Sequence, residues 1–115
     1  ERLLHRIELE DAFSICISSI TVAELEYGIA KSLYPGKNRT ALVGFLGSFE
    51  IIPFTDIDAE VFGSIRAFLS NNGTLIRPYD LQIAAQCISK DLILVTNNVK
   101  EFERVPNLKI ENWTK

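Results

Sequence analysis

Three positions in this chain place an oxygen-bearing side chain just after an apolar, strand-like run or at the start of a helix. Glu24 lies in Ile20-Thr-Val-Ala-Glu-Leu-Glu-Tyr-Gly28, Asp80 in Arg77-Pro-Tyr-Asp-Leu-Gln-Ile-Ala-Ala85, and Asn98 in Leu94-Val-Thr-Asn-Asn98. In a parallel α/β sheet such positions gather at one end of the strands, where sites form. Carboxylate and amide oxygens gathered there suit a hard cation such as Mg2+. A cation held that way generates a nucleophilic water and shields a phosphate, so the chemistry indicated is metal-dependent hydrolysis of a phosphodiester. Asn98 and the Thr96 hydroxyl would orient the metal-bound water or a phosphate.

Each residue also has a plainer explanation. Thr21-Val-Ala-Glu24 fits a capping box, with the Glu24 carboxylate accepting from the Thr21 amide. Asp80 follows Pro78-Tyr79 and suits a helix start, an effect worth under about 1–2 kcal/mol. Thr96-Asn-Asn98 fits a turn leaving a strand. Arg77, Lys100 and Arg104 could meet phosphates, although each alone reads as an ordinary surface charge.

Composition narrows the choice of partners. A chain of 115 residues suits one domain with one core. The net charge of −3 shows no global basic surface, so a nucleic-acid partner would need a local patch. Cys16 and Cys87 read as small buried hydrophobes, and His5 is the only His, which leaves no Cys/His zinc cluster. No apolar run approaches the roughly 18 residues of a membrane span, and residues 1–6 are charged where a signal peptide would be apolar. A cytoplasmic protein without a membrane partner is the expectation.

The elements that must position these residues follow from periodicity. Glu1 to Leu9, Ile20 to Ser32, Arg39 to Phe49, Asp56 or Asp58 to Asn71, and Asp80 to Ser89 have helical spacing. Their inner stripes are predicted as Val22, Leu25, Ile29 and Ala30; Leu42, Phe45, Leu46 and Phe49; and Val61, Ile65, Phe68 and Leu69. Asn71-Asn-Gly73 should close the fourth helix. Strands are predicted at Phe13–Ile17, Phe49–Phe54, Leu92–Thr96 and Leu108–Trp113. Pro53 puts the second near an edge, and the nearly all-apolar third should be central and covered on both faces. The alternation implies an α/β fold with a mostly parallel sheet between helical layers.

Taken in order, Ile17 to Gly28, Ile51-Ile-Pro-Phe54, Pro78 to Ala85, Leu94 to Asn98, Glu101-Phe102 and Leu108 to Trp113 resemble the PIN-domain family. Specifically, over almost the whole chain, they resemble the VapC-type toxin ribonucleases of bacterial toxin–antitoxin pairs. The resemblance implies a PIN fold with a central parallel sheet flanked by helices. It implies a Mg2+- or Mn2+-dependent endoribonuclease acting on RNA, tRNA being a theme of the family. It further implies a homodimer, a cognate antitoxin that blocks the site, and promoter DNA bound through the antitoxin. Glu24 and Asp80 would be acidic metal ligands, Asn98 would stand where the family has Asp or Asn, and Thr96 would support them.

The chain departs from the family in one respect. The family opens on a strand ending in an Asp-Thr-Asn type motif, whose Asp is a ligand, and no such segment occurs in residues 1–115. Asp11 precedes a different strand. The expectation is therefore a single domain lacking its first, central strand, with weak metal binding and little activity as it stands. Two other readings compete. One is a PIN-like module that only binds an antitoxin or another protein. The other is a phosphoacceptor receiver domain, disfavoured because no Asp ends an apolar strand.

Overall fold

Short apolar runs alternate with longer amphipathic segments, and in the computed structural model, which describes residues 15–114, they form four strands and five helices. The order is β1 (Cys16–Ser18), α1 (Ser19–Ala30), α2 (Pro35–Leu46), β2 (Glu50–Ile52), α3 (Asp56–Asn71), α4 (Pro78–Ser89), β3 (Ile93–Val95), α5 (Val99–Phe102) and β4 (Lys109–Glu111). The helix predicted at Glu1–Leu9 lies outside the described residues.

Every strand pairing is parallel, as alternating strands and helices require. Among the described residues the strands form two pairs and not one sheet. β1 pairs with β2, Ile17 opposite Ile51, and β3 pairs with β4, Leu94 opposite Ile110. The Thr96 amide donates to the Glu111 carbonyl at 3.0 Å and carries the second pairing one residue further. Among the described residues β3 is thus not the fully covered central strand its apolar run predicts. Leu94 is half-buried on the core side, whereas Ile93 and Val95 on the opposite face are 50% and 38% exposed.

The core lies between α3, α4 and the β3–β4 pair. Ile65 and Leu69 of α3, Ile76, Leu81 and Ala84 of α4 and its approach, and Phe102 and Val105 form one buried cluster, against which Val61, Phe62, Ile88, Leu94, Leu108 and Ile110 pack. Leu69 is fully buried, but Phe68, predicted for the same stripe, faces outward. α1 and α2 contain no fully buried residue. Leu25, Ala30 and Phe45, predicted to face inward, are exposed. The Arg39–Glu26 ion pair at 3.1 Å joins these two helices at the surface.

Helix ends follow local chemistry. Pro35 and Pro78 start α2 and α4, because proline fixes a helical φ where no amide partner is needed. Pro35 thereby places in a helix a stretch whose Pro-Gly reads as a loop. Thr55 and Asp58 form a reciprocal capping box at the start of α3. Gly73, at φ +67°, closes that helix in the left-handed region glycine enters freely.

Candidate functional site

α1 starts where β1 ends, and Glu24 stands on its second turn. Its cap is Ser18, whose hydroxyl accepts from the Ile20 amide at 3.0 Å, so the Thr21–Glu24 capping box predicted from the sequence does not form. That leaves the Glu24 carboxylate free of a capping duty. α4 runs back toward the start of β3, which brings its N-terminus and Asp80 to the C-terminal end of the strands. Asp80 sits in the first turn without acting as a cap.

Arg77 joins the two carboxylates. Its Nη2 lies 3.1 Å from Glu24 Oε2 and its Nε 3.9 Å from Asp80 Oδ2. The guanidinium side chain is 63% exposed and the Asp80 side chain only 15%. Two carboxylates from different helices, sharing one exposed guanidinium at the strand ends, form a place where positive charge is held.

A third carboxylate, which spacing alone did not single out, belongs to this group. The Glu101 carboxyl stands close enough to that of Asp80 to raise its pKa. Burial is the largest influence on Asp80 and raises its pKa; Glu101 raises it further and Arg77 opposes both, leaving the carboxyl at about 6. Two acidic groups in reach of one another resist double ionisation, and a cation between them relieves the repulsion. Glu101 Oε1 is buried and has no hydrogen-bond partner, an arrangement that costs free energy until something binds it. The sequence signal for Glu101 was its place three residues after Asn98, in the first turn of a four-residue helix anchored by buried Phe102.

Asn98 and Thr96 occupy the same end of the fold. Asn98 is the N-cap residue of α5 without a side-chain capping bond, and its amide donates to the Thr96 hydroxyl at 3.0 Å. That hydroxyl is engaged in the turn leaving β3, the plain role polar residues play there. Among the described residues no hydrogen bond or ion pair ties either residue to Glu24 or Asp80. Among the described residues no three His, Cys, Asp or Glu side chains close into a metal shell. Cys16 and Cys87 are free, and burial raises both thiols, Cys87 to about 11, so neither presents a thiolate.

The donors therefore suit a hard divalent cation. They are carboxylate oxygens, one of them orphaned, and an arginine already stands between two of them. Glu24, Asp80 and Glu101 could supply such oxygens, although among the described residues the three do not close into one shell.

Comparison with known proteins identifies the family. Residues 1–108 match the PIN domain family. The chain is 42% identical over 113 residues to a Salmonella typhimurium protein named tRNA(fMet)-specific endonuclease VapC, covering 98% of this chain and 85% of the relative. It is 48% identical over 104 residues to Ribonuclease VapC2 of Haemophilus influenzae, covering 90% of this chain and 79% of that one. The backbone follows the crystal structure of DNA-bound VapBC from Salmonella typhimurium with a TM-score of 0.94 at 42% identity, over 98% of this chain and 85% of that one. It follows VapBC2 from Rickettsia felis, bound to a promoter DNA fragment, with a TM-score of 0.87 at 41% identity, over 96% and 82% of the two chains. With the PIN family match spanning residues 1–108, and with parallel strands and flanking helices that follow VapBC structures, the chain belongs to the PIN-domain family, among proteins of the VapC type.

Proposed function

We propose that this protein is a Mg2+- or Mn2+-dependent endoribonuclease, the toxin of a toxin–antitoxin pair. One observation carries the reading: Glu24 and Asp80, from two helices, share the Arg77 cation at the strand ends, beside the unpaired Glu101 oxygen. The ribonuclease names of its relatives support the same reading.

When bound, a divalent cation supplies an activated water and offsets charge on the phosphate under attack. Glu24, Asp80 and Asn98 are the proposed ligands, and Glu101 joins them through its contact with Asp80. Thr96 fixes the turn that presents Asn98. Arg77 is exposed and long enough to turn from the carboxylates to an RNA phosphate, a fork that matches phosphate geometry.

The proposed partner is a cognate antitoxin. Tyr27, Leu33, Tyr34, Val43 and Phe45 expose large apolar surface on α1, α2 and the turn between them. Such a patch suits the apolar face of an amphipathic segment. An arginine from the same partner would oppose Glu24 and Asp80 and take the cation's place. Promoter DNA would be reached through that antitoxin, as a homodimer of this chain, and an RNA substrate puts the activity in the cytoplasm. No helix among the described residues is long and apolar enough to cross a membrane.

A second reading, a PIN module that only occupies its antitoxin, draws on the lack of a closed three-ligand cluster among the described residues. The experiment that separates the two is cleavage of total RNA, with tRNA as the first purified substrate, in Mg2+ or Mn2+. The full-length, antitoxin-free protein is compared with its Asp80→Asn variant. Cleavage by the parent and its loss in the variant support the nuclease. Equal cleavage by both removes Asp80 from the site, and no cleavage by folded parent protein favours the module.

A further inference from the structure

A fully buried side chain away from the carboxylates connects the two helices that carry them. Gln86 of α4 has no solvent exposure. Its Nε2 donates to the Ile52 carbonyl, the last residue of β2, at 3.2 Å. Its Oε1 accepts from the hydroxyl of Ser18, the cap of α1. The same hydroxyl accepts from the Ile20 amide at 3.0 Å. The direction of the chain is unambiguous. A carbonyl such as that of Ile52 only accepts, so the amide nitrogen must face it and the amide oxygen must face Ser18. Ser18 then donates to Gln86 and accepts from Ile20. Every polar atom is used, and the bonds run from the α1 amide through Ser18 and Gln86 to β2.

The positions along the two helices give this chain of bonds its consequence. Ser18 to Glu24 is six residues along α1, and Asp80 to Gln86 is six residues along α4. At 1.5 Å per residue, each carboxylate stands about 9 Å from the shared anchor. The Arg77 bridge between Glu24 and Asp80 requires both offsets to run the same way, so α1 and α4 lie antiparallel here. The Ser18–Gln86 bond therefore fixes how far one helix can slide past the other. That slide sets the gap between the two carboxylates. α1 has no buried residue, so apolar packing gives little other resistance to sliding.

We infer that Gln86, through Ser18, is a positioning residue for the cation site, setting the Glu24–Asp80 separation while touching neither cation nor substrate. The inference rests on the metal site proposed above. Its sensitivity is high because metal–ligand distances tolerate only about 0.2 Å.

The test uses full-length protein and Mn2+ alone, titrated by the loss of the free-Mn2+ EPR signal at 25 °C. Asp80→Asn serves as the reference for the site. Gln86→Leu keeps the volume without the hydrogen bonds; Ser18→Ala removes one hydroxyl and is the milder change; Ser18→Thr keeps it. Gln86→Leu and Ser18→Ala should each weaken Mn2+ binding about tenfold, the lower end for losing a partner behind the ligands. The double variant should be no weaker than the worse single one, because both cut one chain of bonds. Ser18→Thr should bind nearly as the parent does. Folded Gln86→Leu and Ser18→Ala proteins with lowered melting temperatures but parental Mn2+ affinity would reduce the bridge to a stabilising contact and overturn the inference. If parent and Asp80→Asn bind Mn2+ alike, the metal reading fails separately. The bridge is then judged by hydrogen exchange at the Ile20 amide: faster exchange in Gln86→Leu upholds it as the α1 anchor, and unchanged exchange overturns it.

Discussion

Asp58→Asn should destabilise the protein strongly at neutral pH and much less in acid. The Asp58 carboxylate is fully buried at the start of α3. Lys90 Nζ, at the end of α4, donates to its two oxygens at 2.8 and 2.7 Å. The Thr55 amide donates at 2.8 Å, the Thr55 hydroxyl at 3.1 Å, and the Ser89 hydroxyl completes the shell. Burial alone would raise the pKa. The bonds from Lys90, Ser89 and Thr55 outweigh it and hold the carboxyl at about 2, against an ordinary 3.8. At about 1.36 kcal/mol per pH unit, that difference is worth about 2 kcal/mol of stability.

The group's folded pKa is depressed, so its contribution is complete above the unfolded pKa and disappears as pH falls from about 4 through about 2. Asparagine removes the charge and leaves Lys90 facing an amide. Losing one partner of a buried pair costs about 3–5 kcal/mol, and the Lys90 side chain, 29% exposed, recovers part of this by turning to water. The expected loss at pH 7 is about 2–3 kcal/mol. Urea unfolding would show it as a midpoint lowered by about 1–2 M at unchanged slope. The same measurement at pH 2.5 should find the gap reduced to about 1 kcal/mol, because the Asp58 carboxyl, at about 2, is still partly ionised there. A gap of equal size at both pH values would refute the electrostatic account, and a gap below 0.5 kcal/mol at pH 7 would refute the whole assignment.

Leu69→Ala should cost about 2–5 kcal/mol, because Leu69 is fully buried at the centre of the α3–α4 cluster and its removal leaves a cavity; urea unfolding at pH 7 measures it, and a loss below about 1 kcal/mol would place the core elsewhere. Arg77→Ala should tighten Mn2+ binding by about two- to fivefold in the absence of RNA, because an exposed ion pair yields only that much when its cation is displaced; unchanged EPR titrations would mean that the guanidinium does not stand where the cation binds. The same variant should cleave RNA less well at saturating metal if Arg77 meets the substrate phosphate as proposed.

The order of strands and helices was legible in the sequence because apolar period and turn residues are local properties. Asp80 at a helix start and Gly73 at a helix end were readable for the same reason: proline before one, and a left-handed turn at the other, act within a few residues. Glu24 was readable as to place but not as to role. Both Thr21 and Ser18 satisfy the local pattern of a cap, and the choice of Ser18 depends on Gln86, 68 residues away. Glu101 shows why single spacings fall short. Its place beside Phe102, three residues after Asn98, marks a short helix but not a partner, and it matters because that helix brings it near Asp80.

The sequence by itself determined which segments alternate, where acidic groups meet helix starts, and which family pattern they follow, since all of that resides in residue type and near neighbours. Tertiary structure alone decided that Glu24 and Asp80 share one cation, that Asp58 is buried and paired with Lys90, and that the two outer residues of β3 face outward. Each of these depends on which distant element lies alongside, a choice fixed by packing of α3, α4 and the strand pairs that no local period encodes.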